Sequence, residues 1–356
     1  MRALIVVPEQ DPVSGNRVTA MRLQQGLVTL GHQAVVKETT LRPGPGLRRR
    51  IFNFAPDVAI LLHAYRSGMP WLEAAGGFDI PTVVLLTGTD VNHGLDDPKQ
   101  QQVILSCLQQ AAFILIQNPL LANEFSAGHP EFTANLRQLP AGIRLGTEPY
   151  PLRARHHLAT EKTLFLCPAG VRPVKGVLEL LEMFDLVAAR SSQAIMAFCG
   201  PILEEEYGHR FLSSLETRPW ACYLGSIPTS SMASAMGEAD VIINNSQTEG
   251  LANSLLEAAT LGIPILAHKI PGNLAVVRHE SNGLLYTSRS EFVIYANQLL
   301  SPDRRQGLSR PAPALYSPEN EALALQELLY QAVAKTKGLK PPGDETSLSC
   351  GTKEEN

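Results

Sequence analysis

Residues 239–267 read ADVIINNSQTEGLANSLLEAATLGIPILA, two short apolar runs separated by a helical pattern. We predict a strand at Val241–Asn244, a helix at Gly250–Leu261 and a second strand at Ile263–Ala267. Continuous apolar runs, rather than alternating ones, are typical of strands that are covered on both faces of a parallel sheet. The stretch therefore predicts a βαβ unit of an α/β protein.

Two glutamates, Glu249 and Glu257, stand eight residues apart within this unit. On one helix they would lie about 12 Å apart on nearly the same face. One carboxylate could then accept hydrogen bonds from the sugar hydroxyls of a nucleotide-sugar and the other from its ribose hydroxyls. The alternative is an ordinary amphipathic helix with two solvated glutamates, and the spacing alone favours that alternative. The rest of the chain is needed to decide between them.

The same alternation of apolar runs and helical patterns extends along the whole chain. Further strands are predicted at Ala3–Val7, Gln33–Lys37, Asp57–Leu62, Thr82–Leu86, Ala112–Gln117, Arg137–Leu139, Thr163–Cys167, Ala194–Cys199 and Tyr223–Leu224. Further helices are predicted at Arg17–Leu30, Pro98–Gln110, Val177–Arg190, Leu203–Thr217, Thr229–Gly237, Ser290–Leu300 and Pro318–Ala334. The pattern predicts two doubly wound, Rossmann-like domains facing a central cleft, with ligands bound beyond the carboxyl ends of the strands.

The domain limits follow from where the periodicity is lost. We expect an N-terminal domain at 1–143, a linker at 144–160 and a second domain at 161–301. Residues 302–317 lack periodicity, and with the last predicted helix they form a C-terminal segment at 302–334. The polar residues 335–356 are predicted to be a disordered tail.

Composition narrows the class of function. The chain has 356 residues, a net charge of −4 and 44% hydrophobic residues, as expected of a soluble two-domain protein. No Lys/Arg block accompanies aromatic residues, which argues against a nucleic-acid partner. Five cysteines without a C-x-x-C pair suggest neither disulfides nor zinc, and indicate a reducing, cytoplasmic location. No apolar run reaches the length of a transmembrane helix.

Two loops have the composition of phosphate-binding sites. Gly15 and Asn16 precede a predicted helix, whose positive end suits a phosphate, although a plain turn explains them equally well. After the strand Thr163–Cys167 come Gly170, Arg172 and Lys175, and two cations beside a helix start could neutralise a diphosphate. The absence of G-x-G-x-x-G argues against a nicotinamide enzyme.

A third group of polar residues follows two strands of the first domain. His63 and Arg66 come after Asp57–Leu62, and Asp90 comes after Thr82–Leu86. We expect Asp90 on the rim of the cleft, and all three residues on the side of the acceptor substrate. A purely structural role, with Arg66 pairing with Asp90, explains them as well. No metal signature is evident, and no cofactor is predicted.

Several spaced motifs resemble a known class of enzymes. The second half, with GVRPVKG at 170–176, the stretch at 239–267 and PGNLAVVRHESNGLLY at 271–286, resembles the retaining GT-B glycosyltransferases with a glycosyl transferases group 1 domain, the GT4-type class. SGNRVTAMR at 14–22, LLHAYRSG at 61–68, TGTDVN at 87–92 and IPGNLAVVRHE at 270–280 narrow the resemblance to the glycosyltransferase 1 domain-containing protein 1 family. The N-terminal motifs are also similar to those of bacterial selenosugar synthases.

The resemblance implies roles for individual residues. Arg172 and Lys175 would bind the diphosphate of a nucleoside-diphosphate sugar and stabilise the charge that develops on it. Glu249 would contact the donor sugar, with Gly250 and Leu251 lending backbone N–H groups. Glu257 would contact the ribose. Gly15 and Asn16 would close on the phosphate and the acceptor.

One departure from the family pattern keeps alternatives open. Many relatives have a histidine where this chain has Thr87, close to the reacting sugar. The leading hypothesis is a metal-independent retaining glycosyltransferase with an unidentified acceptor. The alternatives are a non-catalytic binder of sugar nucleotides and a transferase like the selenosugar synthases. A pyridoxal-dependent phosphorylase is a weaker hypothesis, because Lys175 and Lys269 both lie in predicted loops.

Overall fold

The computed structural model describes residues 1–9, 14–42, 45–92, 94–312 and 315–338. Within these ranges the chain forms two six-stranded, all-parallel sheets. The first contains β1 (Arg2–Pro8), β2 (Gln33–Thr39), β3 (Val58–Leu62), β4 (Thr82–Leu85), β5 (Phe113–Ile116) and β6 (Leu136–Gln138). The second contains β7 (Thr163–Pro168), β8 (Ala194–Cys199), β9 (Ala221–Tyr223), β10 (Val241–Asn244), β11 (Ile265–His268) and β12 (Gly283–Tyr286).

Helices connect the parallel strands. In the first half they are α1 (Gly15–Thr29), α2 (Pro45–Phe54), α3 (Gly68–Ala74), α4 (Thr89–Asn92), α5 (Pro98–Gln110), α6 (Pro119–Gly128) and the 3₁₀ helix Pro130–Asn135. In the second half they are α7 (Leu152–Arg155), the 3₁₀ helix Pro173–Lys175, α8 (Val177–Ala188), α9 (Glu205–Leu215), α10 (Thr229–Gly237), α11 (Asn253–Leu261), α12 (Pro271–Leu274), α13 (Arg289–Gln298), α14 (Pro302–Leu308) and α15 (Pro318–Lys337).

The strand orders are β2-β1-β3-β4-β5-β6 and β12-β11-β10-β7-β8-β9. In each sheet the chain starts at an inner strand, reaches one edge, and then returns to build the strands out to the other edge. Both faces of each sheet are covered by separate hydrophobic clusters, as the continuous apolar runs predicted. The prediction of two doubly wound parallel domains is confirmed.

The last helix returns to the first domain. Leu325, Leu329 and Ala332 of α15 pack in the same cluster as the apolar side chains of β1 and β3. A buried ion pair between Arg22 of α1 and Glu321 of α15, with nitrogen and oxygen 2.6 Å apart, fixes the start of this contact. The polypeptide therefore crosses from one domain to the other twice, first between β6 and β7 and again between α14 and α15.

Several predicted boundaries change. The segment 302–317, expected to be irregular, contains α14, and α15 runs to Lys337, so the start of the predicted disordered tail is helical. Residues 339–356 of that tail lie outside the described residues. The sequence did not predict the strand β12 or the helices α2, α3 and α6. The domain limits at 143 and 161 remain predictions.

Candidate active site

A cavity of about 590 Å³ lies where loops from the two sheets meet. It is bounded by the segments that follow β1, β3, β4 and β5 of the first sheet and β7, β8 and β10 of the second. The predicted site residues that line it are Gly15, Asn16, Arg66, Gly170, Arg172, Lys175, Glu249, Gly250, Leu251 and Glu257. The position agrees with the rule that open α/β sheets bind ligands beyond the carboxyl ends of their strands.

Glu249 and Glu257 do not share a helix, contrary to the expectation from their spacing. The helix α11 begins at Asn253, and Glu249 lies in the loop between β10 and that helix. Gly250 allows this loop to lie against the backbone of Thr87 in the first domain. A side chain at position 250 would collide there, because an added Cβ would lie 2.4 Å from the carbonyl oxygen of Thr87. The two carboxylates still line one cavity.

The carboxylate of Glu249 is held by three donors on one of its oxygens. Its Oε1 accepts a short charged hydrogen bond from Lys175 Nζ, one of 2.7 Å from Ser246 Oγ and one of 3.3 Å from Asn244 Nδ2. Burial alone raises the pKa of Glu249, but the Lys175 charge and these hydrogen bonds together outweigh burial and hold the pKa below its usual value. Oε2 makes no hydrogen bond to any described residue, so it remains available to a ligand.

A buried amide network fixes this arrangement from behind. Asn244 Oδ1 accepts hydrogen bonds from Ser246 N and Asn273 Nδ2, each 3.0 Å long. Asn273 also donates to His268 O at 2.9 Å. This network was not predicted, although the polar run Asn244-Asn245-Ser246 at the end of an apolar strand was a signal for it.

Arg66 and Arg172 approach the cavity from opposite domains. Neither guanidinium has a hydrogen bond or an ion pair with any residue that the structure describes, and Arg172 Nε is buried without a partner. Burial, followed by the charge of Arg172, lowers the pKa of Arg66, while Asp90 partly opposes this shift. Within the part of the chain that the structure describes, neither of these mutually repelling cations has an ion-pair partner, so the site is suited to an anion.

Glu257 lies on α11 and faces the same cavity. Burial raises its pKa to about 7, and the charge of Arg22 opposes that shift only in part. Its carboxylate makes no hydrogen bond to the described residues, in contrast to Glu249. Near neutral pH this group is therefore divided between its acid and carboxylate forms.

Gly15 and Asn16 form the first turn of α1, which begins at the cavity and has no acidic residue in that turn. The predicted start two residues later, at Arg17, is therefore corrected. Gly15 O accepts a hydrogen bond of 3.3 Å from Asn253 Nδ2 at the start of α11. The N-termini of α1 and α11 therefore meet at the edge of the cavity, where their partial positive charges favour an anion.

His63 and Asp90 occupy positions different from those expected. Asp90 is fully buried rather than on the rim, and its carboxylate accepts hydrogen bonds from the backbone N–H groups of Ala64, Thr87 and Gly88 at 2.9–3.0 Å. Asp90 thereby connects the loop that follows β3 with the loop that follows β4, and it forms no ion pair with Arg66. His63 is only 2% exposed and lies behind Thr89, which does line the cavity. Of the three acceptor-side candidates, only Arg66 reaches the cavity directly.

Residues that were not predicted join the two domains across the cleft. Asn118, which caps α6, donates hydrogen bonds to Gly250 O at 2.9 Å and to Pro271 O at 3.2 Å. Asn92 Nδ2 donates to Thr248 Oγ1 at 2.5 Å. These bonds connect residues that are more than 130 positions apart, so no local pattern could indicate them.

Two further features of the described residues bear on other functions. No cluster of three or more His, Cys, Asp or Glu side chains suited to holding a metal ion occurs in the described ranges. Among the helices that the structure describes, none combines the length and the apolar composition required to cross a bilayer.

Comparison with protein families and curated proteins supports the resemblance. Residues 151–307 match the family model described as Glycosyl transferases group 1. A curated protein of Xenopus tropicalis, glycosyltransferase 1 domain-containing protein 1, is 25% identical over 328 residues, which cover 90% of this chain and 94% of that protein.

Comparison with solved structures supports the fold. HepE of Anabaena, in complex with UDP and glucose, superposes with a TM-score of 0.76 at 15% identity, over 92% of this chain and 99% of HepE. Sucrose-phosphate synthase of Thermosynechococcus elongatus gives a TM-score of 0.70 at 15% identity, over 95% and 97% of the two chains.

Family and fold together support a sugar-transferring enzyme. The chain has the GT-B fold, residues 151–307 are similar to the glycosyl transferases group 1 family, and the resemblance of the chain to the glycosyltransferase 1 domain-containing protein 1 family is confirmed.

Proposed function

We propose that this protein is a retaining, GT4-like glycosyltransferase that moves a sugar from a nucleoside-diphosphate sugar to an acceptor with an anionic group. One observation carries the proposal most strongly: a single cavity holds two arginines without an ion-pair partner among the described residues, and two carboxylates with acceptor oxygens that no described residue occupies. A nucleoside-diphosphate sugar offers the complementary groups, since it has phosphates in its middle and hydroxyls at both ends. The HepE structures, solved with UDP and with UDP-glucose, make a uridine nucleotide the first donor to test.

Each donor-side residue has a role that its chemistry supports. Arg172 and Lys175 stabilise the charge on the departing diphosphate, and Lys175 keeps two of its three N–H donors after bonding to Glu249. Glu249 accepts from a hydroxyl of the donor sugar through Oε2, while Glu257 accepts from the ribose.

Backbone groups complete the proposed donor site. Gly170, Gly250 and Leu251 line it and can offer backbone N–H groups to the donor. Gly15 and Asn16 add the N-terminus of α1 on the phosphate side.

Retention is proposed to follow front-face attack. The acceptor oxygen attacks the anomeric carbon from the side on which the diphosphate leaves, the bond to the diphosphate oxygen breaks, and that phosphate takes the proton of the acceptor. The protein then needs to position both substrates and stabilise the leaving group, without a separate protein base.

The binding of the donor is expected to depend on pH through Glu257. A ribose hydroxyl donates to the carboxylate form, so affinity should rise as pH increases through about 7. Below that pH it should fall by up to about tenfold per unit, because the carboxyl group must first lose its proton. The measurement is calorimetric titration with UDP-sugars, whose esterified diphosphate does not titrate in this range.

Variants separate this effect from general changes of charge. Glu257→Gln should bind the donor more weakly at high pH and lose the dependence on pH. Glu182→Gln, on the exposed side of α8, should retain the profile of the unmodified protein. Unchanged donor affinity in Glu257→Ala would refute the ribose role.

Removal of Arg66 should impair transfer without preventing donor binding. The Arg66 side chain makes no hydrogen bond or ion pair with the described residues, and the nearby buried Asp90 keeps its three backbone donors, so Arg66→Ala should fold. We expect kcat/KM for the acceptor to fall by about tenfold or more, equivalent to about 1.4 kcal/mol, with donor affinity retained. Arg49→Ala, an exposed arginine of α2, is the control.

The same assays decide between the alternatives. Unimpaired transfer in Arg66→Ala would remove Arg66 from the acceptor site. Donor binding without transfer or hydrolysis, across a broad acceptor screen that includes phosphate and selenophosphate, would instead favour a non-catalytic binder. Thr87, which lines the cavity in place of the histidine of many relatives, is the residue that motivates this alternative.

A further inference from the structure

His63 has a backbone conformation that its side chain explains. Its φ of 79° lies in the left-handed region, which costs a non-glycine residue about 1 kcal/mol or more. The imidazole Nδ1 lies 3.3 Å from Tyr65 N and 3.2 Å from Arg66 N. Both partners are N–H donors, so Nδ1 must accept and carries no proton. The proton of the neutral ring is therefore on Nε2.

This assignment fixes the direction of the next hydrogen bond. His63 Nε2 lies 3.1 Å from Thr89 Oγ1, and because Nε2 carries the proton, the threonine hydroxyl must accept. Thr89 Oγ1 makes no other hydrogen bond with the described residues, and Thr89 lines the cavity. No described residue accepts its hydroxyl hydrogen, which can therefore be donated into the cavity.

The surroundings of His63 keep the ring neutral. Burial, the largest cause, lowers the pKa of His63, and the charge of Arg66 lowers it further, whereas Asp90 opposes them. Protonation would direct an Nδ1–H at two backbone N–H groups, so an imidazolium would also break the turn. The direction of the hydrogen bonds is thus built into the loop.

We propose that His63 and Thr89 form a hydrogen-bond relay of fixed direction, in which Thr89 donates to an oxyanion of the acceptor substrate and His63 is the positioning residue. Thr89 and Arg66 then present two donors, a hydroxyl and a guanidinium, from the same wall of the first domain. Such a wall selects a group that only accepts hydrogen bonds, such as a phosphate or a carboxylate. The inference rests on the proposed function, to which it adds a second contact for the acceptor.

The kinetic test uses four variants. Thr89→Val, which has nearly the same shape without the hydroxyl, should lower kcat/KM for the acceptor about tenfold or more, with donor affinity unchanged. Thr89→Ser should stay within about threefold of the unmodified protein. His63→Asn tolerates positive φ and can still accept from the two N–H groups, but it is too short to reach Thr89. It should therefore lower transfer without unfolding the loop.

The fourth variant, which combines His63→Asn with Thr89→Val, tests whether the two residues act as a unit. If they do, the double variant is no worse than Thr89→Val alone. Additive losses would mean that His63 acts only on the structure of the loop, and the relay would be rejected.

A readout independent of activity separates this inference from the proposed function. In ¹⁵N-histidine NMR spectra at neutral pH, the signal that disappears in His63→Asn should be that of an Nε2-protonated neutral ring. A ring protonated on Nδ1, or an imidazolium, overturns the relay whatever the enzyme does. If no transfer is found at all, inorganic phosphate titrated in the presence of UDP replaces the acceptor, and Thr89→Val should weaken its binding.

Discussion

Glu249→Gln is expected to lower kcat/KM for sugar transfer by at least about 100-fold, or about 2.7 kcal/mol of transition-state stabilisation. The substitution removes the negative charge that holds Lys175, whose side chain is only 17% exposed. In the new amide only the oxygen can accept the hydrogen bonds from Ser246 Oγ and Asn244 Nδ2, because the amide nitrogen is itself a donor. The group proposed to contact the donor sugar and the cation proposed to contact the diphosphate are thus displaced together.

The control for this experiment is a variant of Ser246, another residue of the same hydrogen-bond network. Ser246→Ala removes one of the three donors to Glu249 and leaves the ion pair with Lys175 intact. Its effect on transfer should be much smaller than that of Glu249→Gln. The kinetics are read beside the thermal midpoints, because an unpaired buried cation also destabilises the fold. A loss of less than about threefold in Glu249→Gln, with the protein folded, would contradict the assigned role.

The fold could be predicted from the sequence because its signal is local. Strands buried on both faces appear as continuous apolar runs, and β8 and β10 have the predicted limits. The helix α2 was not predicted, because only Leu47 and Ile51 of its ten residues are buried and three consecutive arginines obscure its periodicity. The strand β12 is four residues long and follows an irregular segment, so no pattern distinguished it from a loop.

The site could be predicted only as far as strand ends determine it. The loops after β7 and β10 bring Arg172, Lys175 and Glu249 to one cavity, as expected. The pairing of Lys175 with Glu249 joins residues 74 positions apart, and nothing in either loop specifies it. The type of a polar residue at a strand end also does not reveal its role. Asp90 was expected on the rim of the cleft, but its buried carboxylate accepts hydrogen bonds from backbone N–H groups.

Gly88→Ala is expected to lower transfer by at least about 100-fold by keeping the two domains apart. Gly88 has a φ of 111°, and an added Cβ would lie 2.4 Å from the backbone nitrogen of Gly250 in the opposite domain. Backbone atoms cannot yield as a flexible side chain would. The same approach allows Asn118 to donate to Gly250 O, so separation would also break that hydrogen bond.

Gly77→Ala is the matched control, because Gly77 also has a positive φ, of 86°, but an added Cβ would meet nothing within 4 Å. Both variants incur the strain of an alanine at positive φ, about 1 kcal/mol, and should show similar losses of thermal stability in the first domain. Only Gly88→Ala adds a collision between domains. It should therefore lose transfer while the second domain still binds the nucleotide, and small-angle scattering should report a larger radius of gyration. Equal activity in the two variants would show that transfer does not require the domains to meet at Gly88 and Gly250, and the cleft would then have to work in a more open form.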